Sequence, residues 1–181
     1  MAQSLSPETQ LSTPKKEAFL ETSANHLNIK YLKLVNHTAS KRTEWSYQEY
    51  RQIGVTFYLH WAMNEDLKKG LSEEEISKRL ARKENDSRKA DQGDHILLCQ
   101  NHYNHGHRVT HVVETVSSSS TAEKRDEMWT RLVRVVWVVA QDPWEKYAPE
   151  QENVIGNFSF KGGNLICANA PSIVLNLDAL K

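Results

Sequence analysis

The sequence predicts an α+β protein built around an antiparallel sheet of three strands between residues 91 and 139. Gly93 and Asp94 introduce an apolar run, a loop rich in His and Asn follows, and a second run alternates towards Glu114. Two such runs on either side of a short polar loop are typical of a hairpin. Residues 131–139 are rich in β-branched side chains and alternate with arginines, which predicts the third strand.

Length and charge restrict the class of protein. The chain has 181 residues, and its 23 Lys and Arg balance its 23 Asp and Glu, so the formal net charge is zero. A broad positive surface is therefore not expected, and any binding of nucleic acid has to be local. Residues 1–25 are rich in Ser, Thr, Pro, Gln and Glu, which predicts a mobile N-terminal tail before a single domain over residues 26–181.

The cysteines and the lack of long apolar runs indicate the cellular compartment in which the protein is expected. Cys99 and Cys167 lie in apolar runs without metal-ligand spacing, which predicts buried free thiols in a reducing environment. The N-terminus carries no apolar signal segment, and no stretch approaches the ~20 apolar residues of a membrane span. These features predict a cytoplasmic protein without membrane contact, and they leave the oligomeric state open.

The chain before the sheet contains a first strand and an ambiguous apolar run. Residues 27–35 alternate apolar and polar side chains, which predicts the strand. They lead into the polar segment 36–40, which fits either a turn or a ligand loop at a strand end. Residues 55–63 are apolar and rich in aromatic side chains, and this run fits a strand or a helix.

Two capping boxes predict helices in the same region. Ser46 with Glu49 would open a short helix, and Ser72 with Glu75 would open a longer one. In a capping box the Ser hydroxyl and the Glu carboxylate satisfy backbone amides at the helix start. Residues 81–90 are densely charged, which fits a solvated helix end or a phosphate-binding patch.

The remaining segments connect or close the sheet. The low-complexity residues 117–127 predict a flexible loop. Residues 153–160 predict a further strand, and the paired glycines in residues 161–164 predict a turn. The short apolar pieces 165–167 and 172–177 would seal a sheet edge.

A group of histidines offers the first candidate site. His102, His105, His107 and His111 fall within ten residues, and imidazole is the commonest transition-metal ligand. The pattern is similar to the cupin metal motif, although six residues separate His107 from Glu114 where cupins place three or four. A metal-dependent enzyme using His105, His107 and His111 is therefore an alternative function, and it requires these side chains to converge.

Other catalytic patterns are absent from the sequence. There is no G-x-S-x-G nucleophile elbow, and no glycine-rich phosphate loop follows a predicted strand. The sequence therefore predicts neither catalytic residues nor a cofactor.

The order of the elements resembles a known superfamily. A helical section comes first, and it is followed by a strand that a Gly-Asp pair opens and by a strand that ends in Glu114. A loop, Trp129 and the strand 131–139 come next. This order resembles the PUA-like superfamily, and within it the EVE and YTH branches, over about residues 27–139. One departure is residues 104–111, which stand where the relatives place a small glycine-rich segment.

The resemblance implies a small twisted β-barrel with flanking helices and an aromatic pocket for one nucleobase, in particular a modified base turned out of its strand. Trp129 matches the Trp of the family motif and would form one wall, and Trp45 would form the opposite wall. The side chains implied to read the base edge are Asn36, Thr38 and Ser40. Those implied to hold flanking phosphates are Lys41, Arg42, Arg88 and Lys89.

The resemblance therefore implies a non-catalytic module that binds DNA or RNA. A protein-interaction module on the same barrel is a third possibility, because a fold does not determine a function. A nucleic-acid reader requires a concave site lined by Trp45 and Trp129 with basic residues at its rim. An interaction module requires an exposed apolar patch instead.

Overall fold

The computed structural model describes residues 27–35, 44–62, 68–125, 128–139 and 141–181. Within these ranges the strands are β1 Ile29–Leu34, β2 Thr56–Trp61, β3 His95–His102, β4 Gly106–Thr115, β5 Glu123–Arg125, β6 Met128–Val138 and β7 Leu165–Cys167. The α-helices are α1 Glu73–Ser87, α2 Trp144–Tyr147 and α3 Gln151–Ile155. The predicted N-terminal tail lies outside the described residues.

The three strands predicted at the centre of the sheet are confirmed. β3 and β4 pair antiparallel, from His95 opposite Glu114 to His102 opposite Gly106. β4 in turn pairs antiparallel with β6. Gly106 has a φ of 68°, a left-handed conformation that glycine adopts without the steric cost of a side chain and that suits the end of this hairpin.

The full sheet is mixed and strongly curled. Its order is β2-β6-β4-β3-β1-β7, with β5 beside β6, and β1 runs parallel to β3. β7 pairs with β1 along the edge that β3 leaves free, which confirms the edge-sealing role predicted for residues 165–167. Three strands separate β1 from β2 in this order, yet Nζ of Lys33 in β1 lies 4.8 Å from the ring centroid of Trp61 in β2. The sheet therefore curls into a half-barrel, and the protein is of the α+β class.

Both faces of the sheet are apolar, as expected when other segments cover the outer face and the curl of the sheet encloses the inner face. The outer face packs against α3 and the C-terminal segment. The side chains of this outer core include Leu97, Cys99, Val109, Val112, Val154 and Ile155. Those that line the inside of the curl include Phe57, Leu59, Trp61, Ile96, Leu98, Val133 and Val135.

The helix α1 confirms the second capping box. Ser72 N donates to Glu75 Oε2 at 2.9 Å, and Glu75 N donates to Ser72 Oγ at 3.3 Å. The helix continues through most of the charged stretch to Ser87. There the guanidinium of Arg131 donates to the carbonyl oxygens of Ser87 and Ala90 at 2.7 and 3.0 Å, so a buried cation satisfies the end of the helix.

The helix predicted from Ser46 is wrong, because residues 46–49 form turns. Ser46 N donates to Oε1 of Gln100 at 2.7 Å, and Gln100 Nε2 donates to Ser46 O at 2.9 Å. Tyr47 has a φ of 61°, which a right-handed helix excludes. The buried amide of Gln100 binds the backbone that the capping box would have organised, so a tertiary contact overrides the local signal.

The strand predicted over residues 153–160 is also wrong. Residues Gln151–Ile155 form α3, and its buried side chains are Gln151, Val154 and Ile155. This i, i+3, i+4 spacing places the three on one helix face. The helix is too short for the spacing to stand out in the sequence.

Smaller differences concern the loop after β4 and one cysteine. The predicted loop of residues 117–127 contains β5, which pairs with the start of β6. Both cysteines are free, but only Cys99 is buried; Cys167 is exposed, so its predicted burial is wrong. Across the described ranges no helix has the length and apolar character needed to cross a membrane.

Candidate functional site

Two tryptophans form a pair at one end of the curled sheet. Trp61, the last residue of β2, lies directly opposite Trp129 near the start of β6. Directly opposite residues of an antiparallel pair project from the same face, so both indoles lie inside the curl. Trp61 is 1% exposed and Trp129 is half-buried. The pair is an aromatic surface that begins in the core and reaches solvent.

Basic side chains surround the half-buried member of this pair. The guanidinium carbon of Arg88 lies 5.4 Å from the centroid of the Trp129 ring. Lys124 is the cross-strand neighbour of Trp129 on its other side, in β5. Arg88 Nη2 also bonds Glu84 Oε1 at 3.3 Å, and its Nη1 donates to Ser119 O at 3.2 Å, so its position is defined by partners on two segments. A cation over an indole face is attracted by the ring quadrupole.

The buried member of the pair also has a cation on its ring. Lys33 is 3% exposed, lies over Trp61, and donates from Nζ to Gly163 O at 2.6 Å. Burial, together with the Lys83 ammonium, lowers the pKa of Lys33 to about 7, and the Asp86 carboxylate opposes this change. An ammonium in this environment loses most of its hydration.

Sequence reasoning missed Lys33. It shares its strand face with Tyr31 and Val35, both of which pack against the core inside the curl. A lysine in register with inward-facing apolar side chains was the signal that could have identified it.

The indole nitrogen of Trp61 is a second buried donor. Nε1 is buried and finds no hydrogen-bond acceptor among the described residues. A buried donor left without a partner costs about 1–3 kcal/mol. The inner end of the site thus contains two buried donors, the ammonium of Lys33 over the Trp61 ring and the N–H at the edge of that ring.

Trp45 lies in a different cluster. It is 8% exposed, and its ring centroid is 4.7 Å from that of His102 and 5.9 Å from that of Trp144. The same cluster contains Val139, which directly follows β6 and lies ten residues beyond Trp129 in the chain. Ten residues of extended strand span about 33 Å, far more than the thickness of one base. The structure therefore does not bring Trp45 and Trp129 together as two walls of one pocket.

Of the predicted phosphate-binding residues, Arg88 and Lys89 lie within the described part of the chain, and their surroundings differ. Arg88 stands at Trp129, whereas Nζ of Lys89 is bound to Oδ1 of Asp86 at 2.5 Å. The predicted site residues that lie outside the described part of the chain are Asn36, Thr38, Ser40, Lys41 and Arg42.

The histidines of the alternative metal site do not converge. Leu98 pairs with His111 but Cys99 pairs with Val109, so a bulge inserts one residue into β4. An extra residue reverses the alternation of side chains. His107 and His111, four residues apart, therefore face opposite sides of the sheet.

The individual contacts of these histidines agree with that separation. Nδ1 of His107 lies 2.9 Å from Gln151 Oε1 in α3, on the outer face. His111 is fully buried inside the curl, with Nδ1 3.0 Å from Thr110 Oγ1 and Nε2 3.2 Å from Tyr50 O. Over the described ranges, no group of three or more His, Cys, Asp or Glu side chains is placed to hold a metal ion. The alternative of a metal-dependent enzyme requires its histidine side chains to converge on one point, and His107 and His111 do not.

Comparison with models of protein families, with curated proteins and with solved structures gives no match. The class that the fold itself defines is an α+β protein with a curled mixed sheet. The particular function has to be inferred from the site, because many functions share such folds.

Proposed function

We propose that the protein is a cytoplasmic, non-catalytic module with a PUA-like fold of the EVE or YTH kind that binds DNA or RNA. It takes a nucleobase, in particular a modified one, at the Trp61–Trp129 pair. The observation that carries this proposal is the half-buried indole of Trp129 with Arg88 on its ring and Lys124 beside it. Trp129 and Arg88 keep the roles expected from the sequence, and Trp61 takes the place of Trp45.

The energetics of such a site are favourable. Turning a base out of its strand costs a few kcal/mol, and stacking on an aromatic side chain returns about 1–3 kcal/mol per base. A base that stacks on Trp129 would displace the guanidinium of Arg88 from the ring. Arg88 could then bind the flanking phosphate, since guanidinium groups bind phosphate oxygens in a bidentate manner.

The balanced charge of the chain predicts that the affinity for nucleic acid depends only weakly on salt concentration. With Arg88 and Lys124 as the two cations beside Trp129, log Kd should rise with log salt concentration with a slope near 1.4, since each phosphate contact on a single strand contributes about 0.7. A steep dependence would indicate a wider basic surface than the described residues provide.

Binding of short single-stranded DNA and RNA, with and without one methylated base, tests the proposal through quenching of tryptophan fluorescence. Wild-type protein should show saturable quenching at low salt, and Trp129→Ala should weaken binding about tenfold or more. Tyr103→Ala is the matched control, because Tyr103 is 79% exposed at the tip of the β3–β4 hairpin. An absence of binding at low salt, or an equal loss in both variants, would contradict the proposal.

The protein-interaction alternative depends on a contiguous apolar patch. The exposed large apolar side chains of the described residues come from four separate segments: Ile53, Tyr103, Tyr147 and Val174. The reader function is preferred because the Trp61–Trp129 pair, with Arg88 on the Trp129 ring, supports it directly.

A further inference from the structure

The inner end of the site contains hydrogen-bond donors in excess. An ammonium has three N–H donors. The acceptor that the described residues supply to Lys33 is Gly163 O, at 2.6 Å from Nζ. Nε1 of Trp61, buried beside it, finds no acceptor in the described part of the chain. This nitrogen belongs to the ring whose centroid lies 4.8 Å from the ammonium, so the two buried donors belong to neighbouring side chains.

The charges around these donors are also unbalanced. Lys83 faces the site from α1, and its Nζ bonds Asn164 Oδ1 at 3.1 Å. Asp86, the carboxylate that acts on Lys33, is already bound to Nζ of Lys89 at 2.5 Å and accepts from Leu165 N at 3.1 Å. The surroundings of Lys33 therefore favour an added anion over an added cation or an apolar group.

On the basis of the proposed function, we propose that the recognised base carries an anionic, oxygen-bearing substituent of the carboxylate type, bound by Lys33 Nζ and Trp61 Nε1. A carboxylate supplies two acceptor oxygens for the two donors. A methyl group supplies none and would leave both donors buried without partners, which is how a polar site rejects an apolar analogue.

The protonation of Lys33 makes this preference dependent on pH. Burial and the Lys83 ammonium hold its pKa down to about 7, against the opposing Asp86 carboxylate. A bound carboxylate favours the charged form, so binding would be accompanied by uptake of a proton near neutral pH. Affinity for the carboxylated base should fall by up to about tenfold per pH unit above pH 7, since less of the free protein then carries the charged form.

The test compares oligonucleotides that contain one cytosine, 5-methylcytosine or 5-carboxylcytosine at the same position. Wild-type protein should bind the carboxylated base about tenfold or more tightly than the methylated one at pH 6.5. Lys33→Met should bring the ratio close to one. Lys161→Met is the control, because it removes an exposed ammonium from the loop that contributes Gly163 and should keep the ratio. Trp61→Phe keeps an aromatic ring without the N–H, and should lower the ratio in part.

The outcomes separate this inference from the function on which it rests. Equal binding of the methylated and carboxylated bases, or a preference that persists in both Lys33→Met and Trp61→Phe, would overturn the inference alone. Absence of binding to every oligonucleotide at low salt would overturn the proposed function and this inference together. If Lys33→Met does not fold, Trp61→Phe and the pH series in wild-type protein decide the question.

Discussion

The side-chain amide of Gln100 binds both backbone polar groups of Ser46. Ser46 N donates to Oε1 at 2.7 Å, and Nε2 donates to Ser46 O at 2.9 Å. Gln100 is fully buried, and the same Nε2 also donates to Thr110 Oγ1 at 2.6 Å. One side chain in β3 therefore fixes the segment that leads from Trp45 to β2.

Replacing this amide should cost about 1–3 kcal/mol of unfolding free energy in Gln100→Leu, because the buried backbone groups of Ser46 lose their partners. Urea denaturation measures the change. Gln48→Leu, an exposed glutamine in the same segment, should stay within about 0.5 kcal/mol of wild type. Equal effects of the two substitutions would show that Gln100 does not hold the segment.

His111 should make stability depend on pH. Burial lowers its pKa from 6.5 to about 4, while its bonds to backbone carbonyl oxygens act in the opposite direction. The folded state therefore binds fewer protons than the unfolded state between these values. The contribution of His111 is complete above about pH 6.5 and is lost progressively as the pH falls towards 4, by on the order of 3 kcal/mol.

Unfolding free energies of wild type and His111→Gln at pH 7 and pH 4.5 test this dependence. The pKa of His95 is also lowered, so the informative quantity is the difference between the two proteins. The variant should lose less stability on acidification. An identical loss in both would exclude His111 as the source.

Arg131 should be among the residues that contribute most to stability. Its guanidinium is buried and donates to the carbonyl oxygens of Ser87, Ala90 and Ser117 at 2.7, 3.0 and 2.6 Å. Arg131→Met would leave these carbonyls without their donor and should destabilise the fold by about 3 kcal/mol or more.

The control for Arg131 lies in the same strand. Arg134 is exposed and forms an ion pair with Glu114 at 2.7 Å, and Arg134→Met should cost about 0–1 kcal/mol. Chemical denaturation of both variants gives the comparison. Similar losses would mean that the buried contacts of Arg131 contribute no more than a surface pair.

Lys33 should reduce stability at neutral pH. Its lowered pKa means that the folded state binds fewer protons than the unfolded state between about pH 7 and 10.5. Wild-type stability should therefore rise with pH in this range. Lys33→Met removes the buried charge and should be neutral or more stable than wild type at pH 7, because the cost of desolvating the ammonium is relieved. Thermal unfolding at pH 7 and 9 measures both effects, and a large loss of stability in Lys33→Met would show that the ammonium holds the fold.

The parts of the fold that the sequence predicts correctly depend on local signals. The Ser72 and Glu75 capping box lies within one helical turn, and the strands on either side of the 103–105 turn are neighbours in the chain. Interactions between residues close in sequence leave a recognisable spacing.

The parts that the sequence does not predict depend on distant partners. The Ser46 box fails because Gln100, 54 residues away, binds the same backbone. The sequence identifies Trp129 by its position before a strand. Its partner Trp61 is identified only by the register of β2 on β6, which depends on residues far apart in the chain. The bulge in β4 separates the histidines for the same reason.

The five tryptophans allow a direct test of where the ligand binds. Each indole N–H gives its own resonance in a ¹H–¹⁵N correlation spectrum, and single Trp→Phe variants assign them. Titration with the single-stranded oligonucleotide should shift the Trp61 and Trp129 resonances and leave those of Trp45 and Trp144 in place. Movement of the Trp45 resonance with Trp61 and Trp129 unchanged, or no movement at all, would contradict the assignment of the Trp61–Trp129 pair as the binding site.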